Sequence, residues 1–308
     1  MALSVSAIAF FALCFVANAW TGKVDDIYNI DQLNLHAEGI TWHDGDFYAG
    51  SMSGQVIYRF DYNSDGDAIT KPSKTSNAAT GLGSQTFLSV CGSKSEDRIY
   101  GCFFSRDGSE EGGIAYWDNQ LEHQKTFLYP NITQAGDCIV DDDEKTVYFT
   151  ASISGMIVSC DLDLNSCDEY LSGGDLASTS DSPLQGYPLG VNGIEYFEND
   201  EGDFIVAGNY DMGYLLKVTV GADPVMSRVT VNDPSNLLSG TLVGVDGIVR
   251  VDSDVLVVVQ ATQMTLLQST DDFVSAEVKK VVATSQIEPD GSSHAALIYG
   301  DRASKSDI

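Results

Sequence analysis

Short apolar and β-branched runs separated by Gly, Asp, Asn and Ser turns recur along the whole chain, and amphipathic helical periodicity is almost absent. Four times a polar-plus-small element opens such a run: Glu38-Gly39-Ile40, Asp137-Cys138-Ile139, Asn192-Gly193-Ile194 and Asp246-Gly247-Ile248. Each is followed by a second β-rich run, at Asp46–Gly50, Thr146–Thr150, Asp203–Ala207 and Asp254–Gln260. Units of strand pairs recurring at intervals of about 50 residues predict an all-β chain built as a β-propeller.

Aligned on this repeat, blade one runs from about Ala37 to Thr80, and blades two to five open near Phe87, Asp137, Asn192 and Asp246. A sixth blade is expected from Ser293–Tyr299, but the sequence ends at Ile308, so this blade is incomplete or is closed by an N-terminal strand within Asp25–Asn34. The six-bladed expectation therefore rests on the two ends of the chain. Ser172–Pro188 lacks periodicity and is rich in Ser, Gly and Asp, which predicts a long loop beside the axial face, a lid or a plain surface insertion.

The first 19 residues read as a secretory signal: an apolar run from Ala7 to Ala17, then the small-x-small pattern Ala17-Asn18-Ala19, with no basic residue before the run. Cleavage there leaves one domain over 20–308, expected to be exported, free of the membrane and monomeric. Lys plus Arg total 16 against 45 Asp plus Glu, a net charge of −29. That field repels a phosphate backbone and excludes nucleic acid as the main partner. The charge is compatible with cation binding and equally with a merely soluble acidic surface.

Five cysteines remain after the signal: Cys91, Cys102, Cys138, Cys160 and Cys167. Export favours disulfides, and the odd count leaves at least one thiol. Cys160 and Cys167 flank a hairpin turn and are the expected pair. Asn131-Ile132-Thr133 is a glycosylation sequon.

In a propeller the residue opening strand one and the turn after strand two share a face. Glu38, Asp137, Asn192 and Asp246 should therefore converge on the axis, with turns carrying Arg106 and Asn209 around them. Glu38, Asn192 and Asp246 form an all-oxygen set of mixed charge that suits Ca²⁺ with waters completing the shell. Taken singly, each is also an ordinary turn former. Asp61-x-Asn63-x-Asp65-Gly66-Asp67 matches half of an EF-hand loop, but Pro72 stands where its last ligand belongs. His36, two residues before Glu38, is either a proton shuttle or a packed or surface histidine.

The motifs Glu38-Gly39-Ile40-Thr41-Trp42, Gly190-Val191-Asn192-Gly193-Ile194 and Gly244-Val245-Asp246-Gly247-Ile248 resemble the senescence-marker-protein/gluconolactonase/luciferin-regenerating-enzyme family. Phe204–Asn209 followed by Gly213–Val218 adds to the likeness. The resemblance implies a six-bladed propeller with one axial divalent ion, Ca²⁺ or alternatively Zn²⁺, Mn²⁺ or Mg²⁺. It implies Glu38, Asn192 and Asp246 as its ligands and Asp246 also as general base. The implied activity is hydrolysis of a small-molecule lactone or ester, with a substrate contact at Asp137; from their place in the axial turns, Arg106 or Asn209 is expected to orient a hydroxylated substrate. Gly136 departs from the family, which carries Asn before this Asp. Two other readings stay open: a metal-braced propeller serving as a binding module, and a strictosidine-synthase-like propeller enzyme that uses an axial carboxylate without metal.

Overall fold

The computed structural model describes residues 10–14, 26–30, 37–51, 55–61, 73–76, 82–83, 85–93, 97–105, 109–132, 134–179, 188–238, 242–260 and 263–283. Five antiparallel blades follow one another along the chain. Their inner strands are Ala37–His43, Thr86–Ser93, Ala135–Val140, Val191–Phe197 and Val245–Asp252, each hydrogen-bonded to the strand that follows it. The first four blades have four strands; the fifth has five, because Thr230–Asn232 adds in parallel to the outermost strand, Ser275–Ala283. Inner strands of consecutive blades, from the first to the fifth, pack side by side around the axis.

The structure is thus a five-bladed propeller among the described residues, which corrects the six-bladed expectation. Ser293–Tyr299, the expected sixth inner strand, lies outside the described residues. Asp26–Ile30 does not complete a blade. It pairs with Phe10–Cys14 in a separate two-stranded sheet, within the stretch read as a signal.

Between blades the core is aromatic and β-branched, as the alternation along the strands requires. Phe87 of blade two lies edge-on to Trp117 at 5.3 Å, and both are fully buried. Phe197 and Phe204 of blade four stack at 5.0 Å, and Phe273 of blade five closes on Phe197 at 4.9 Å. Burial of such rings dominates the favourable side of folding, and truncating one costs about 3–5 kcal/mol. Arg250 forms a bidentate pair with Asp142 while its backbone N–H donates to Glu195 at 2.8 Å. These contacts tie blades three, four and five together.

Two disulfides form. Cys160–Cys167 joins directly opposed residues of a hairpin, as the sequence predicts. Cys91–Cys138, which the sequence did not single out, staples the inner strands of blades two and three. Cys102 is the remaining buried thiol.

Candidate functional site

All five inner strands carry an irregularity at the same place. Pairing with the second strand skips Gly39 in blade one, Leu88 in blade two, Gly136-Asp137 in blade three, Asn192-Gly193 in blade four and Asp246 in blade five. A β-bulge leaves its extra residue out of the ladder and turns that side chain away from the strand's regular alternation. Asp137, Asn192 and Asp246 are therefore aimed at the axis by backbone geometry. Gly39 takes φ +70°, and a Cβ there would collide with the backbone of Ser89, so only glycine permits this bulge beside blade two. Leu88 is blade two's counterpart of the polar residues. Its apolar side chain concealed the repeat in the sequence.

Around these bulges lies an axial cavity of about 410 Å³. Asp137, Asn192 and Asp246 share its wall, with Ser89 and Glu195, and Phe104, Gln134, Leu189 and Tyr210 stand at the end where the inner strands begin. Asn192 Nδ2 donates to Asp246 Oδ1 at 2.7 Å. Ser152 Oγ donates to Asn192 Oδ1 at 3.0 Å, and Thr150 Oγ1 donates to the Asn192 carbonyl at 2.6 Å. The amide is thereby fixed from both ends. Asp137 is held more tightly still: Oδ1 accepts from Ser89 Oγ at 2.5 Å and from Cys138 N at 2.9 Å, and Oδ2 accepts from Ile194 N at 3.2 Å.

The electrostatics separate the two carboxylates. Burial pushes Asp137 up to about 6, opposed by its three hydrogen bonds. Burial, then the neighbouring charge of Asp137, pushes Asp246 up to about 7, with only the Asn192 amide opposing it. A carboxylate with one donor, raised towards neutrality and facing a cavity, has the properties of a general base. Asp137, by contrast, has both oxygens occupied by donors.

Gly136 now has a physical reason. A Cβ at this position would lie 2.3 Å from Ser152 Oγ and 2.4 Å from Asn192 Oδ1. The space that the Asn of the resembled family would need is filled by the Ser152–Asn192 contact.

Other predicted positions fall elsewhere. Asn209 is fully buried and does not line the cavity; its amide donates to the carbonyls of Asp175 and Ala177 at 2.8 and 3.0 Å. It anchors the loop after blade three, whose Gly174–Leu176 turn buries Leu176. Residues 180–187 of that loop, the side chain of Glu38, and Arg106, His36 and the acidic segment 62–67 lie outside the described residues. Asn131 is exposed in a turn.

Among the described residues no group of three or more His, Cys, Asp or Glu side chains is disposed to hold a metal. Asn192 directs its N–H, not its oxygen, at Asp246. Rotating the amide by half a turn would bring its oxygen beside Asp246 and its N–H₂ to Ser152. The Ser152 hydroxyl accepts as readily as it donates, so it satisfies either orientation. The two oxygens so juxtaposed would need a cation between them. Of the three expected ligands only Asn192 and Asp246 have described side chains, and they face each other as donor and acceptor.

No protein-family model matches the chain, and no curated protein matches it. Among solved structures it is similar to Mala s 1, the major allergen of Malassezia sympodialis, with TM-score 0.60 and 16% identity over 87% of this chain and 84% of that one. It is also similar to the periplasmic gluconolactonase of Pseudomonas aeruginosa, with TM-score 0.50 and 13% identity over 83% and 73%. A luciferin-regenerating enzyme gives TM-score 0.50 and 12% identity over 83% and 78%. The chain shares the propeller fold with these proteins. The resemblance read from the motifs is met at the level of fold, and propellers host many chemistries.

Proposed function

We propose that this protein is an exported hydrolase of lactones or related esters, with Asp246 as general base. The observation that carries this reading is the pairing of a base-like Asp246 with a clamped Asn192 on the wall of an axial cavity. The fold shared with a gluconolactonase and a luciferin-regenerating enzyme is consistent with it, and two disulfides suit an oxidising compartment.

In this mechanism Asp246 takes a proton from water as the water oxygen attacks the carbonyl carbon. It returns that proton to the departing alkoxide, so the carboxylate is regenerated in each turnover. Asn192 keeps the Asp246 carboxylate oriented, and Asp137, when ionised, raises the basicity of Asp246. Glu38, Asn192 and Asp246 would hold a divalent ion, Ca²⁺ or alternatively Zn²⁺, Mn²⁺ or Mg²⁺, which when bound supplies Lewis-acid polarisation of the carbonyl. Arg106 would orient a hydroxylated substrate.

The test is hydrolysis of aldonolactones and aryl esters by the purified mature protein, with each ion added in turn, beside Asp246→Asn. Turnover that disappears in the variant supports the reading. Wild-type protein inert towards every lactone and ester under all ion conditions would refute it.

A further inference from the structure

Lactones and esters differ most in what the ring or the acyl chain carries, and the wall of the axial cavity discriminates on that point. Its polar side chains hold protein partners. Asp137 accepts three donors. The two oxygens of Glu195 accept backbone N–H groups from Tyr196 and Arg250. The Asn192 amide is engaged at both ends, with Asp246 and with Ser152. A ligand hydroxyl brought against such groups has to break a bond already made.

The apolar part of the wall is open. Ile40, Leu88, Ile139 and Val249 line the cavity and are half-buried, so they keep accessible surface. They stand on the inner strands of blades one, two, three and five. Leu88 is the residue that blade two's pairing skips, where blades three, four and five carry Asp137, Asn192 and Asp246. An aliphatic side chain thus takes a place in the ring of bulge residues, at the level of the candidate base. Blade one adds no bulk there, because its skipped residue is Gly39, held against the backbone of Ser89. Phe104 and Leu189 continue the apolar lining to the end where the inner strands begin. The cavity, about 410 Å³, has the size of a small-molecule site.

We propose that this site selects lactones or esters bearing an apolar alkyl or aryl substituent over polyhydroxylated aldonolactones, and that Leu88 sets the preference. Under the hydrolase reading, on which this preference rests, the reacting carbonyl lies beside Asp246 and the substituent packs on Leu88 and its neighbours Ile40 and Phe104. One methylene in an apolar pocket is worth roughly 10- to 200-fold in discrimination. Hydroxyls pressed against the same surface lose their water without gaining a partner. A single hydroxyl elsewhere on the ring is compatible with this wall.

Binding and turnover are read separately, so that selectivity and hydrolysis can fail independently. Calorimetric titration of the mature chain uses two hydrolysis-resistant lactams, δ-decanolactam with its pentyl chain and gluconolactam with its hydroxyls. The decanolactam is expected to bind at least about tenfold tighter, and Leu88→Asn should cut that ratio by about tenfold. Leu88→Ala, which puts no new polar group in the wall, should lower the ratio as well and serves if Leu88→Asn does not fold. The kcat/KM for δ-decalactone should exceed that for gluconolactone in the same order. Gluconolactam binding as tightly as decanolactam, no decanolactam binding, or a ratio unchanged in the Leu88 variants overturns the proposal. Turnover favouring gluconolactone overturns it too and leaves the hydrolase reading intact. A Leu88-dependent preference for decanolactam with neither lactone turned over supports the selectivity and counts against hydrolysis alone.

Discussion

The Asn192 side-chain N–H donates to Asp246 Oδ1 at 2.7 Å across the boundary between blades four and five. The two residues are 54 positions apart, and each is a bulge residue of its own inner strand. The contact therefore exists only when adjacent blades are docked in register. It makes the condition of the base a readout of propeller assembly.

Removing that contact isolates its effect on the base. Asn192→Leu deletes the only donor to Asp246 among the described residues. Under the hydrolase reading kcat should fall about 10- to 100-fold, less than the roughly 100- to 10,000-fold contributed by a positioned acid or base itself, because Asn192 acts through Asp246. The acidic limb of the pH–rate profile should move to higher pH, because the lost hydrogen bond was favouring the charged form. Steady-state kinetics across pH 5–9 check both. An unmoved acidic limb would detach Asn192 from the base.

Activity and stability should respond to pH in opposite directions. A base raised to about 7 is ionised only above neutrality, so turnover should rise as pH increases through that range. For folding, a carboxyl held above its ordinary range makes the folded state bind more protons than the unfolded chain. Stability from Asp137 and Asp246 is then fully present below the ordinary carboxylate range and is lost as pH rises through about 6 to 7. Asp246→Asn removes part of that loss. Thermal melts after chelator treatment should show the variant gaining on wild type at pH 8 and losing this advantage by pH 5.

Position 136 offers a steric test. Gly136→Ala places a methyl group against Ser152 and Asn192, which should cost about 1–3 kcal/mol as an overpacked site does. Asn192→Ala makes room, so the double variant should lose less than the sum of the two single changes. Denaturant titration of the four proteins gives the coupling. Strict additivity would mean that the alanine is accommodated without touching the amide.

The two disulfides should differ in worth. Cys91–Cys138 spans a sequence separation of 47 and Cys160–Cys167 one of 7. Loop-closure entropy then predicts losses of about 4 kcal/mol for Cys91→Ser with Cys138→Ser, and about 2.5 kcal/mol for the Cys160/Cys167 pair. The first double variant should also loosen Asp137, which accepts the Cys138 N–H. Chemical denaturation of both variants ranks them.

The four polar elements at the head of the inner strands were legible in the sequence because side-chain type and spacing are local properties. Turn residues, period-two apolar runs and the recurring interval were enough for an all-β propeller, and Cys160–Cys167 followed from a single hairpin. Leu88 escaped notice because its bulge is a feature of strand pairing and leaves no polar signature. Five blades in place of six, the Cys91–Cys138 staple and the burial of Asn209 behind the Gly174–Leu176 turn came only with the tertiary structure. Each depends on which distant strands lie side by side. The sequence by itself determined which polar residues recur at the head of the inner strands; the docking of neighbouring blades decided that Asp137 holds three donors while Asp246 holds one among the described residues, because Ser89 and Ile194 reach Asp137 from blades two and four and a linear pattern does not record which blade supplies a donor.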